Sequence, residues 1–550
     1  MKYYQSLLFV LIMNYSLCSQ QTVGTIFLDS MQIEEGHTLF YPNNQSHVFL
    51  VDNCGELVNQ WDLTEGSFAG IKGELDSLGN LYVSSANGAL ANQSSFGAGG
   101  AGGVIEKYDW NSNLIWRYLD VDSVQRQHHD FNVLPNGNIL YIAWQRHFLE
   151  EIVEVGFDTL SHPQREIWSD SVIEYDPDAN QIVWQWNSWD HLIQDFDIIA
   201  KNYGIVAQSL GRIDINYQDH SFGRKDWLHS NGIDYLESRD QIVLSVRNFN
   251  ELWIIDHSTT SEEAATSVGG NSGKGGDLLY RWGDANTYRK DSVDVQRKSF
   301  WQHDPDWVLS EEGELGILFF NNYLNQERSE GQLIVPVYDP ISQCYLLDQD
   351  SIEYLPIEPI KTYSHPEIEK TFSTSASSIQ QLPNNNILMC AARQGRIFEI
   401  TQEGDLVWEY LVPLKAGIPI VQGFELSLSD NFTFQASKYP VSYSKVQESL
   451  GETIEIGSLP SYCDIAVSNN STNQMESLQI KISPNPSNGN SINIDGLGTN
   501  FMNSYSLFNL SGIKIRSGLL GYQNTIDISD IKQGVYILKV GNSSSKLVRL

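Results

Sequence analysis

The chain has 550 residues, which is long enough for one large domain with accessory segments. Its 68 acidic and 34 basic residues give a formal net charge of -34. This balance excludes a general nucleic-acid binder, because phosphate backbones require a basic surface. Any site for an anion must therefore be a local cationic pocket on an otherwise acidic protein.

The N-terminal segment 1–20 predicts a cleavable secretory signal. Lys2 precedes an apolar run at 7–13 and a small polar stretch at 16–19, which is the layout of such signals. No later stretch contains the roughly 20 apolar residues of a membrane span. We therefore expect a protein that leaves the cytoplasm without stable insertion into a membrane.

Four cysteines remain after the signal, at Cys54, Cys344, Cys390 and Cys463. Their wide spacing gives no zinc-ligand pattern. One or two disulfides can form outside the cytoplasm, with a pairing that the sequence leaves open. A buried free thiol is an equally good interpretation for each cysteine.

Most of the chain repeats two kinds of β-hairpin. The first kind has a tight turn rich in Asn, Gly or acidic residues between two apolar ends, at 75–81, 134–140, 309–315 and 382–388. The second kind ends in a tryptophan that can pack between neighbouring units, at Trp61, Trp116, Trp184 and Trp408. Two hairpins per repeat, at a period of roughly 45 to 75 residues, are typical of a β-propeller blade.

The repeats predict an all-β chain whose residues 21–466 form a six-bladed β-propeller. Its units are expected to start near Ile26, Ile71, His128, His229, His303 and Phe372. A strand within 432–446 is expected to close the ring, because a propeller must hide its two sheet edges. The Gly/Ala/Ser-rich segment 92–103 and the Ser/Gly/Thr-rich segment 258–276 are expected to be surface loops.

Cationic side chains stand at the start of three repeats, at His128 and His129, His229 and His303. Arg247 lies in the strand run that follows His229 and can reach the same centre across a hairpin. Equivalent positions in a ring of repeats face one channel, so we expect these groups to converge on a single anion pocket with imidazoles available for chemistry. An arginine directed at the same point is repelled by a divalent metal and suits an oxyanion. We therefore expect neither a metal nor a cofactor.

These motifs resemble those of the bacterial arylsulfate sulfotransferases, over residues 25–446. The likeness is carried, in the family's order, by His-His-Asp-Phe from His128, Trp-Leu-His-Ser-Asn-Gly from Trp227, Ser-Val-Arg-Asn-Phe from Ser245 and Gln-His-Asp-Pro from Gln302. The resemblance implies a six-bladed propeller that moves a sulfuryl group from one phenol to another without a nucleotide donor. It also implies a histidine that is transiently sulfated.

The resemblance gives each cationic residue a role. His303 matches the sulfated nucleophile, and a neutral imidazole is a competent nucleophile near neutral pH. His229, Arg247 and one of His128 or His129 match the groups around the sulfuryl oxygens. Counting back along the strand favours His128, but either histidine fits.

Further residues near the motifs are expected at the site. Asn231 matches a pocket position of the family, and Thr374 and Ser375 lie where the sixth unit would present hydroxyls to a substrate. Asp130 and Asp304 either orient ring nitrogens or point to solvent. The aromatic residues that could sandwich an aryl ring are Trp144, Phe249, Trp301 and Tyr323.

The C-terminal part has a different composition. A polar linker at 467–478 precedes the segment 479–550, which contains Ile-Lys-Ile-Ser-Pro-Asn-Pro from Ile480 and Gly-Val-Tyr-Ile-Leu-Lys-Val from Gly534. This segment resembles the C-terminal sorting domain of type IX secretion substrates from Bacteroidetes. The resemblance implies a small β-sandwich, export across the outer membrane by the type IX machinery, and release or attachment at the cell surface.

Two classes of function remain open. The first is an arylsulfate sulfotransferase that passes a sulfuryl group from a small phenolic sulfate to a phenol acceptor by a ping-pong route through a sulfohistidine, with hydrolysis as a variant. The second is a non-catalytic surface propeller that binds an anionic ligand such as a sulfated glycan. The first predicts turnover, and the second predicts binding alone. The natural donor and acceptor stay open in both.

Overall fold

The computed structural model describes residues 21–86, 96–161, 165–217, 225–288, 296–324, 328–348, 350, 353–441, 450–457, 481–495, 504–509, 514–520, 525–540 and 543–550. The chain folds as two compact units, Met1–Tyr462 and Cys463–Leu550. The predicted signal peptide and the predicted linker lie outside the described residues. The helices of the described part are α1 (Leu149–Glu154), α2 (Ser261–Ala264) and short 3-10 turns, and none of them is long and apolar enough to span a bilayer.

The first unit consists of β-strands joined by turns and loops. In chain order they are β1 (Gly24–Leu28), β2 (Gly36–Pro42), β3 (His47–Asp52), β4 (Leu57–Asp62), β5 (Lys72–Leu75), β6 (Leu81–Ser85), β7 (Val104–Tyr108), β8 (Leu114–Leu119), β9 (Gln125–Val133), β10 (Ile139–Phe148), β11 (Glu166–Asp176), β12 (Gln181–Asn187), β13 (Leu192–Ile193), β14 (Ile213–Asp214), β15 (Ser230–Leu236), β16 (Gln241–Val246), β17 (Glu251–Asp256), β18 (Tyr280–Trp282), β19 (His303–Leu309), β20 (Leu315–Leu324), β21 (Arg328–Ile334), β22 (Tyr338–Asp339), β23 (Cys344–Tyr345), β24 (Lys361–Tyr363), β25 (Ser378–Gln381), β26 (Ile387–Ala391), β27 (Arg396–Ile400), β28 (Leu406–Leu411), β29 (Leu414–Lys415), β30 (Ile418–Pro419) and β31 (Thr433–Pro440).

Six antiparallel sheets of four or five strands carry this unit. In strand order they are sheet 1 (β31-β2-β3-β4), sheet 2 (β5-β6-β7-β8), sheet 3 (β9-β10-β11-β12), sheet 4 (β15-β16-β17-β18), sheet 5 (β19-β20-β21-β24) and sheet 6 (β25-β26-β27-β28-β1). The first strand of each sheet packs against the first strand of the next sheet. Sheet 1 packs against β25 on one side and β5 on the other, so the series returns to its start.

The two chain ends of the first unit join different sheets, and only the C-terminal end takes the place that the sequence predicts. The strand predicted within 432–446 is β31, which pairs with β2 as the first strand of sheet 1. The segment near Ile26, which was predicted to start the first repeat, is β1. It instead extends the outer edge of sheet 6 by pairing with β28. The prediction for Ile26 was wrong because β31, which comes late in the chain, takes the inner position.

The predicted turns and tryptophans join and pack the sheets. Gly137 has φ +88° in the turn between β9 and β10, a conformation that a glycine adopts without strain. Trp61 is fully buried and donates its Nε1–H to the carbonyl of Asp109 in sheet 2, at 2.9 Å. Trp408 in sheet 6 donates in the same way to Asn53 in sheet 1, at 2.8 Å. These bonds join sheet 1 to sheet 2 and sheet 6 to sheet 1.

Buried carboxylates link the inner strands of neighbouring sheets. Asp130 accepts the backbone N–H of Ile233 at 3.0 Å, and Asp304 accepts that of Ile379 at 2.8 Å. Lys72 lies 3.1 Å from Asp130. Neither aspartate orients a histidine or points to solvent, so both interpretations of Asp130 and Asp304 were wrong. Their backbone bonds satisfy buried donors between sheets, which is a structural role.

Segment 92–103 is not a simple surface loop over its described residues, 96–103. Phe96 is buried, stacks on Trp168 with ring centroids 4.1 Å apart, and meets the edge of Trp144 at 4.8 Å. The prediction from composition was wrong because one aromatic residue anchors the glycine-rich segment. Of the cysteines, Cys54 is disulfide-bonded, and Cys344 and Cys390 are free thiols.

The second unit contains two small antiparallel sheets. Its strands are β32 (Lys481–Ser483), β33 (Ser491–Asp495), β34 (Ser504–Asn509), β35 (Lys514–Leu519), β36 (Thr525–Asp527), β37 (Gly534–Val540) and β38 (Ser543–Arg549). The sheet orders are β32-β33-β36 and β35-β34-β37-β38. Alternating apolar residues of both sheets, among them Ile492, Leu507 and Leu538, form one core.

Candidate active site

A cavity of about 540 Å³ lies beside the middle of β9 in sheet 3 and the starts of β15 in sheet 4 and β19 in sheet 5. His129, His229, Arg247 and His303 all line it, although they are far apart in the chain. Each of these strands has a register irregularity at this point, at Phe131 to Gln127, Ser230 to Gly232 and His303 to Asp306. Such bulges redirect side chains, so they account for the common direction of the three imidazoles.

Left-handed backbone conformations accompany these bulges. His129 has φ +49°, His229 has φ +54°, and Asp304, next to His303, has φ +56°. Residues other than glycine rarely adopt this region, and holding them there costs on the order of 1–3 kcal/mol each. The surrounding sheets therefore stabilise a strained chain at the same point in three sheets.

His303 begins β19 and is almost fully buried. Its Nδ1 lies 2.7 Å from Asn322 Oδ1 and 2.9 Å from the carbonyl oxygen of Trp301. Asn322 donates its Nδ2 hydrogens to the carbonyls of Ser373 and Ala376, so its Oδ1 can only accept, and His303 Nδ1 must carry the proton. His303 Nε2 therefore keeps a lone pair, which accepts the Ala376 N–H at 3.1 Å.

The electrostatic surroundings keep His303 neutral. Burial is the largest cause that lowers the pKa of His303, and the positive charge of Arg247 lowers it further, to about 3. An unprotonated imidazole with a defined tautomer and a lone pair at a cavity is a nucleophile that needs no base to activate it.

His229 has a different partner. Its Nδ1 is hydrogen-bonded to Oδ2 of Asp226, which also lines the cavity. Burial alone would raise the pKa of Asp226, but the charge and hydrogen bond of His229 hold that pKa below its usual range. A carboxylate that binds one ring nitrogen orients the other nitrogen and stabilises the imidazolium. This pair is suited to moving a proton.

His129 and His128 occupy different places. His129 lines the cavity, whereas His128 is not among the lining residues and stacks on Trp144 with ring centroids 3.9 Å apart. Their Nδ1 atoms are 2.8 Å apart, so one imidazole donates to the other. His128 Nε2 lies 3.5 Å from Asp170. The geometry therefore puts His129 at the cavity and His128 behind it.

The pKa values of His128 and His129 are both lowered. Burial is the first cause that lowers the pKa of His129 well below its usual value, followed by the charges of His229 and His128. Burial also lowers the pKa of His128, against the opposing effect of Asp170. Burial thus favours the neutral form of both imidazoles.

Arg247 reaches the cavity from the end of β16. Its guanidinium lies over the Trp301 ring, 4.8 Å from the centroid, and Nη1 donates to Asn248 Oδ1 at 3.0 Å. Asn248 in turn donates to the carbonyl of Asp226 at 3.0 Å. Asn248, which also lines the cavity, therefore ties the arginine to the segment that holds His229.

The three polar residues expected to bind substrate are placed differently. Ser375 lines the cavity. Thr374 is half-buried and is not among the lining residues. Asn231 is buried, also outside the lining, and donates its Nδ2 to the carbonyl of Gln302 at 2.8 Å. Asn231 therefore supports the backbone just before His303.

The aromatic lining comes from residues that the sequence did not indicate. Phe434 lies between His129 and His303, at ring centroid distances of 6.3 and 6.2 Å, and Phe432 is 6.4 Å from Phe434. The four aromatic candidates are absent from the described lining. They pack elsewhere, as when Trp301 stacks on Tyr323. Phe432 and Phe434 were missed because they belong to the closing strand and the loop before it, away from the motifs.

Asp226 and Gly100 were also missed. The sequence could have indicated Asp226, because its carboxylate lies only three residues before His229. Gly100 has φ +75°, and a Cβ there would clash with the imidazole of His129. Its carbonyl accepts the backbone N–H of His129 at 2.8 Å. The anchored segment 96–103 thus forms part of the site, which composition alone did not predict.

Among the residues that the structure describes, no set of three or more histidine, cysteine or carboxylate side chains has the geometry of a metal site. The three cavity-lining imidazoles instead share the site with the guanidinium of Arg247. A guanidinium and imidazole N–H groups are suited to holding an oxyanion while charge develops on it.

Comparison with protein families gives two matches. A model described as "Arylsulfotransferase (ASST)" matches residues 34–406, and one described as "Secretion system C-terminal sorting domain" matches residues 481–549. Among curated proteins, none matches this chain.

Solved structures with similarity to this chain are remote. One is a protein of unknown function from Bacteroides caccae, with 10% identity, 74% of this chain and 98% of that chain covered, and a TM-score of 0.38. Another is a putative 6-phosphogluconolactonase from Bacteroides fragilis, with 10% identity, 75% and 99% coverage, and a TM-score of 0.33. A third is a catalytically inactive virginiamycin B lyase from Staphylococcus aureus, with 9% identity, 70% and 88% coverage, and a TM-score of 0.30. Similarity at this level carries no argument about this chain.

Proposed function

Because this chain belongs to the arylsulfotransferase family, we propose that its sulfuryl transfer runs from a phenolic sulfate ester to a phenol acceptor, in two steps through sulfated His303. The observation that carries this proposal is the neutral His303 imidazole, whose Nε2 lone pair stands in a cavity with two further histidines and an arginine. We also propose that the six sheets form a six-bladed propeller, which the circular packing of their first strands supports.

In the first step, His303 Nε2 attacks sulfur. The bond from sulfur to the aryl oxygen breaks, and its electron pair leaves with the phenolate. His229, oriented by Asp226, gives the phenolate a proton. The positive charge on the new sulfohistidine and on Arg247 offsets the negative sulfuryl oxygens.

In the second step, a phenol replaces the departed one. Its hydroxyl proton passes to His229, and its oxygen attacks sulfur. The bond from sulfur to nitrogen breaks, and its electron pair returns to His303 Nε2. The Ala376 N–H, which caps this nitrogen at 3.1 Å in the free enzyme, is placed to donate to a sulfuryl oxygen while the nitrogen is occupied.

The sorting domain indicates where the proposed reaction takes place. The type IX sorting domain at 481–549 directs the protein to the cell surface or the extracellular space. We propose that the type IX secretion machinery is its partner in export. A donor ester that needs no nucleotide is consistent with a place outside the cell, where nucleotide sulfate donors are not supplied.

Intact-protein mass spectrometry tests the covalent step. We expect an addition of about 80 daltons, the mass of SO3, after mixing with 4-nitrophenyl sulfate, mapped to His303 and removed by added phenol. The matched control is His257→Gln, because His257 lies in an ion-paired cluster with Glu174 and Asp240 outside the cavity lining. Its mass addition should equal that of the wild type.

Three results would count against the proposal. Transfer that persists in His303→Ala would remove His303 as the nucleophile. Binding of aryl sulfate or sulfated glycan without any mass addition or turnover would favour the non-catalytic alternative. Release of sulfate to water at the same rate without phenol would identify a hydrolase instead.

A further inference from the structure

A second guanidinium, that of Arg393, lines the cavity and comes from a different sheet than Arg247. Arg393 lies on the 3-10 turn Ala392–Gln394, between β26 and β27 of sheet 6. Its Nε donates to Ser375 Oγ and its Nη1 to Ser429 Oγ, each at 3.1 Å. Within the described residues, no carboxylate forms an ion pair with Arg393, whereas most other half-buried arginines of the first unit have one.

The two guanidiniums belong to different parts of the site. Arg247 comes from sheet 4, the sheet that also carries His229. Arg393 comes from sheet 6, and His303 lies on sheet 5 between them. In the proposed reaction, the sulfuryl group lies among the histidines and Arg247. Arg393 is therefore available to bind another negative group in the same cavity.

The apolar lining leads from the nucleophile to Arg393. Phe434 is the aromatic ring beside His303, at 6.2 Å between centroids, and Phe432 is the next ring, with its centroid 6.4 Å from that of Phe434. The guanidinium of Arg393 lies over Phe432, 5.6 Å from the ring centroid. An aryl ring placed along these two phenylalanines would have its ester oxygen near His303 and its opposite end near Arg393.

We propose that Arg393, with the hydroxyls of Ser375 and Ser429, binds an oxyanionic substituent on the aryl group of the substrate. The preferred phenols and phenolic sulfates would then carry a second negative group, such as a carboxylate, at the end opposite the reacting oxygen. Charge-assisted bonds from a planar guanidinium to an oxyanion are strong and directional, so they select such substrates over neutral ones. This inference rests on the proposed sulfuryl transfer.

A matched pair of acceptors tests the inference. 4-Hydroxyphenylacetate and 4-hydroxyphenylacetamide have nearly the same shape, and the methylene group insulates the phenol from the difference in charge. With 4-nitrophenyl sulfate as donor, we expect the wild type to favour the carboxylate by about tenfold or more in kcat/KM, mainly through KM. In Arg393→Gln this ratio should fall to near one, and Arg393→Lys should keep part of it.

Arg328→Gln is the control variant, because Arg328 pairs with Glu330 outside the cavity lining. Its acceptor ratio should equal that of the wild type. An equal loss for both acceptors in Arg393→Gln would overturn the inference, since it would mean that Arg393 acts on the sulfuryl group or supports the Ser375 segment. A wild type without preference would also overturn it.

Calorimetric binding of the two acceptors separates this inference from the proposed reaction. If the wild type transfers no sulfuryl group to either phenol, the proposed function fails, but binding still reports on Arg393. Tighter binding of the carboxylate by the wild type and not by Arg393→Gln would then support the inference. Equal binding of both compounds by both proteins would contradict it.

Discussion

The starts of β15 and β19 present two histidines to one cavity in contrasting surroundings. The Nδ1 atom of His229 is bound to a carboxylate, that of Asp226. The Nδ1 atom of His303 is bound to an amide, that of Asn322, at 2.7 Å. A carboxylate stabilises the imidazolium, whereas an amide oxygen fixes the neutral tautomer. In the proposed reaction, the partner of the Nδ1 nitrogen therefore distinguishes the proton carrier, His229, from the nucleophile, His303.

Removal of the proposed nucleophile is expected to have the largest effect. His303→Gln should lower kcat/KM for transfer from 4-nitrophenyl sulfate to phenol by about 10³-fold or more, because the amide of glutamine has no nitrogen lone pair able to attack sulfur. The variant should also fail to gain mass from the donor. Unchanged binding of 4-nitrophenyl sulfate in a calorimeter would show that the cavity remains intact. A residual rate near that of the wild type would contradict the proposed role of His303 as the nucleophile.

Removal of the carboxylate beside His229 should have the next largest effect. Asp226→Asn takes away the carboxylate that orients the His229 ring for proton transfer, so kcat should fall by about 10²-fold or more. Donors with poor leaving groups, such as phenyl sulfate, should lose more than 4-nitrophenyl sulfate, since the nitrophenolate needs little help from an acid. Equal losses for both donors would mean that Asp226 only supports the fold. Asp178→Asn, in an exposed turn, is the matched control.

Exchange of the partner of His303 should make it resemble His229. Asn322→Asp places a carboxylate beside Nδ1, which should raise the pKa of His303 from about 3 toward or above its usual value. The first-step rate would then be lost as pH falls through the raised pKa and recovered at higher pH. The wild type should show no such loss from His303 between about pH 5 and 8.

The readout of this exchange is the rate of 4-nitrophenol release in a single turnover across pH. We expect a loss of about tenfold at pH 6 and a smaller loss at pH 8. The Asn322 amide also donates to the carbonyls of Ser373 and Ala376, so the variant loses two bonds as well. That loss alone would slow the reaction equally at all pH values. A pH-independent decrease would therefore contradict the proposed change in pKa.

The sequence predicts those parts of the molecule that depend on local patterns. Alternating apolar residues and turn residues predict the hairpins, and positions within the repeat predict that His229, Arg247 and His303 meet. Residues supplied by distant segments have no such pattern. Phe434 reaches the cavity because β31 pairs with β2, which joins the two ends of the first unit. Gly100 reaches it because Phe96 anchors its segment.

The choice between His128 and His129 also depends on tertiary structure. Adjacent residues of a regular strand point to opposite faces, so the sequence allows either one to face the cavity. The bulge in the middle of β9, with φ +49° at His129, settles the direction of both side chains. Counting along the strand could not reveal this bulge.

Variants of His128 and His129 should show the smallest of the predicted effects on the rate of transfer. His129→Gln removes an imidazole from the cavity, so transfer should fall by about 10- to 100-fold. His128→Gln removes only a neighbour, which is bonded to His129 at 2.8 Å, so its loss should be a few-fold. Steady-state transfer to phenol measures both. A larger loss in His128→Gln than in His129→Gln would contradict the placement of His129 as the residue that meets the substrate.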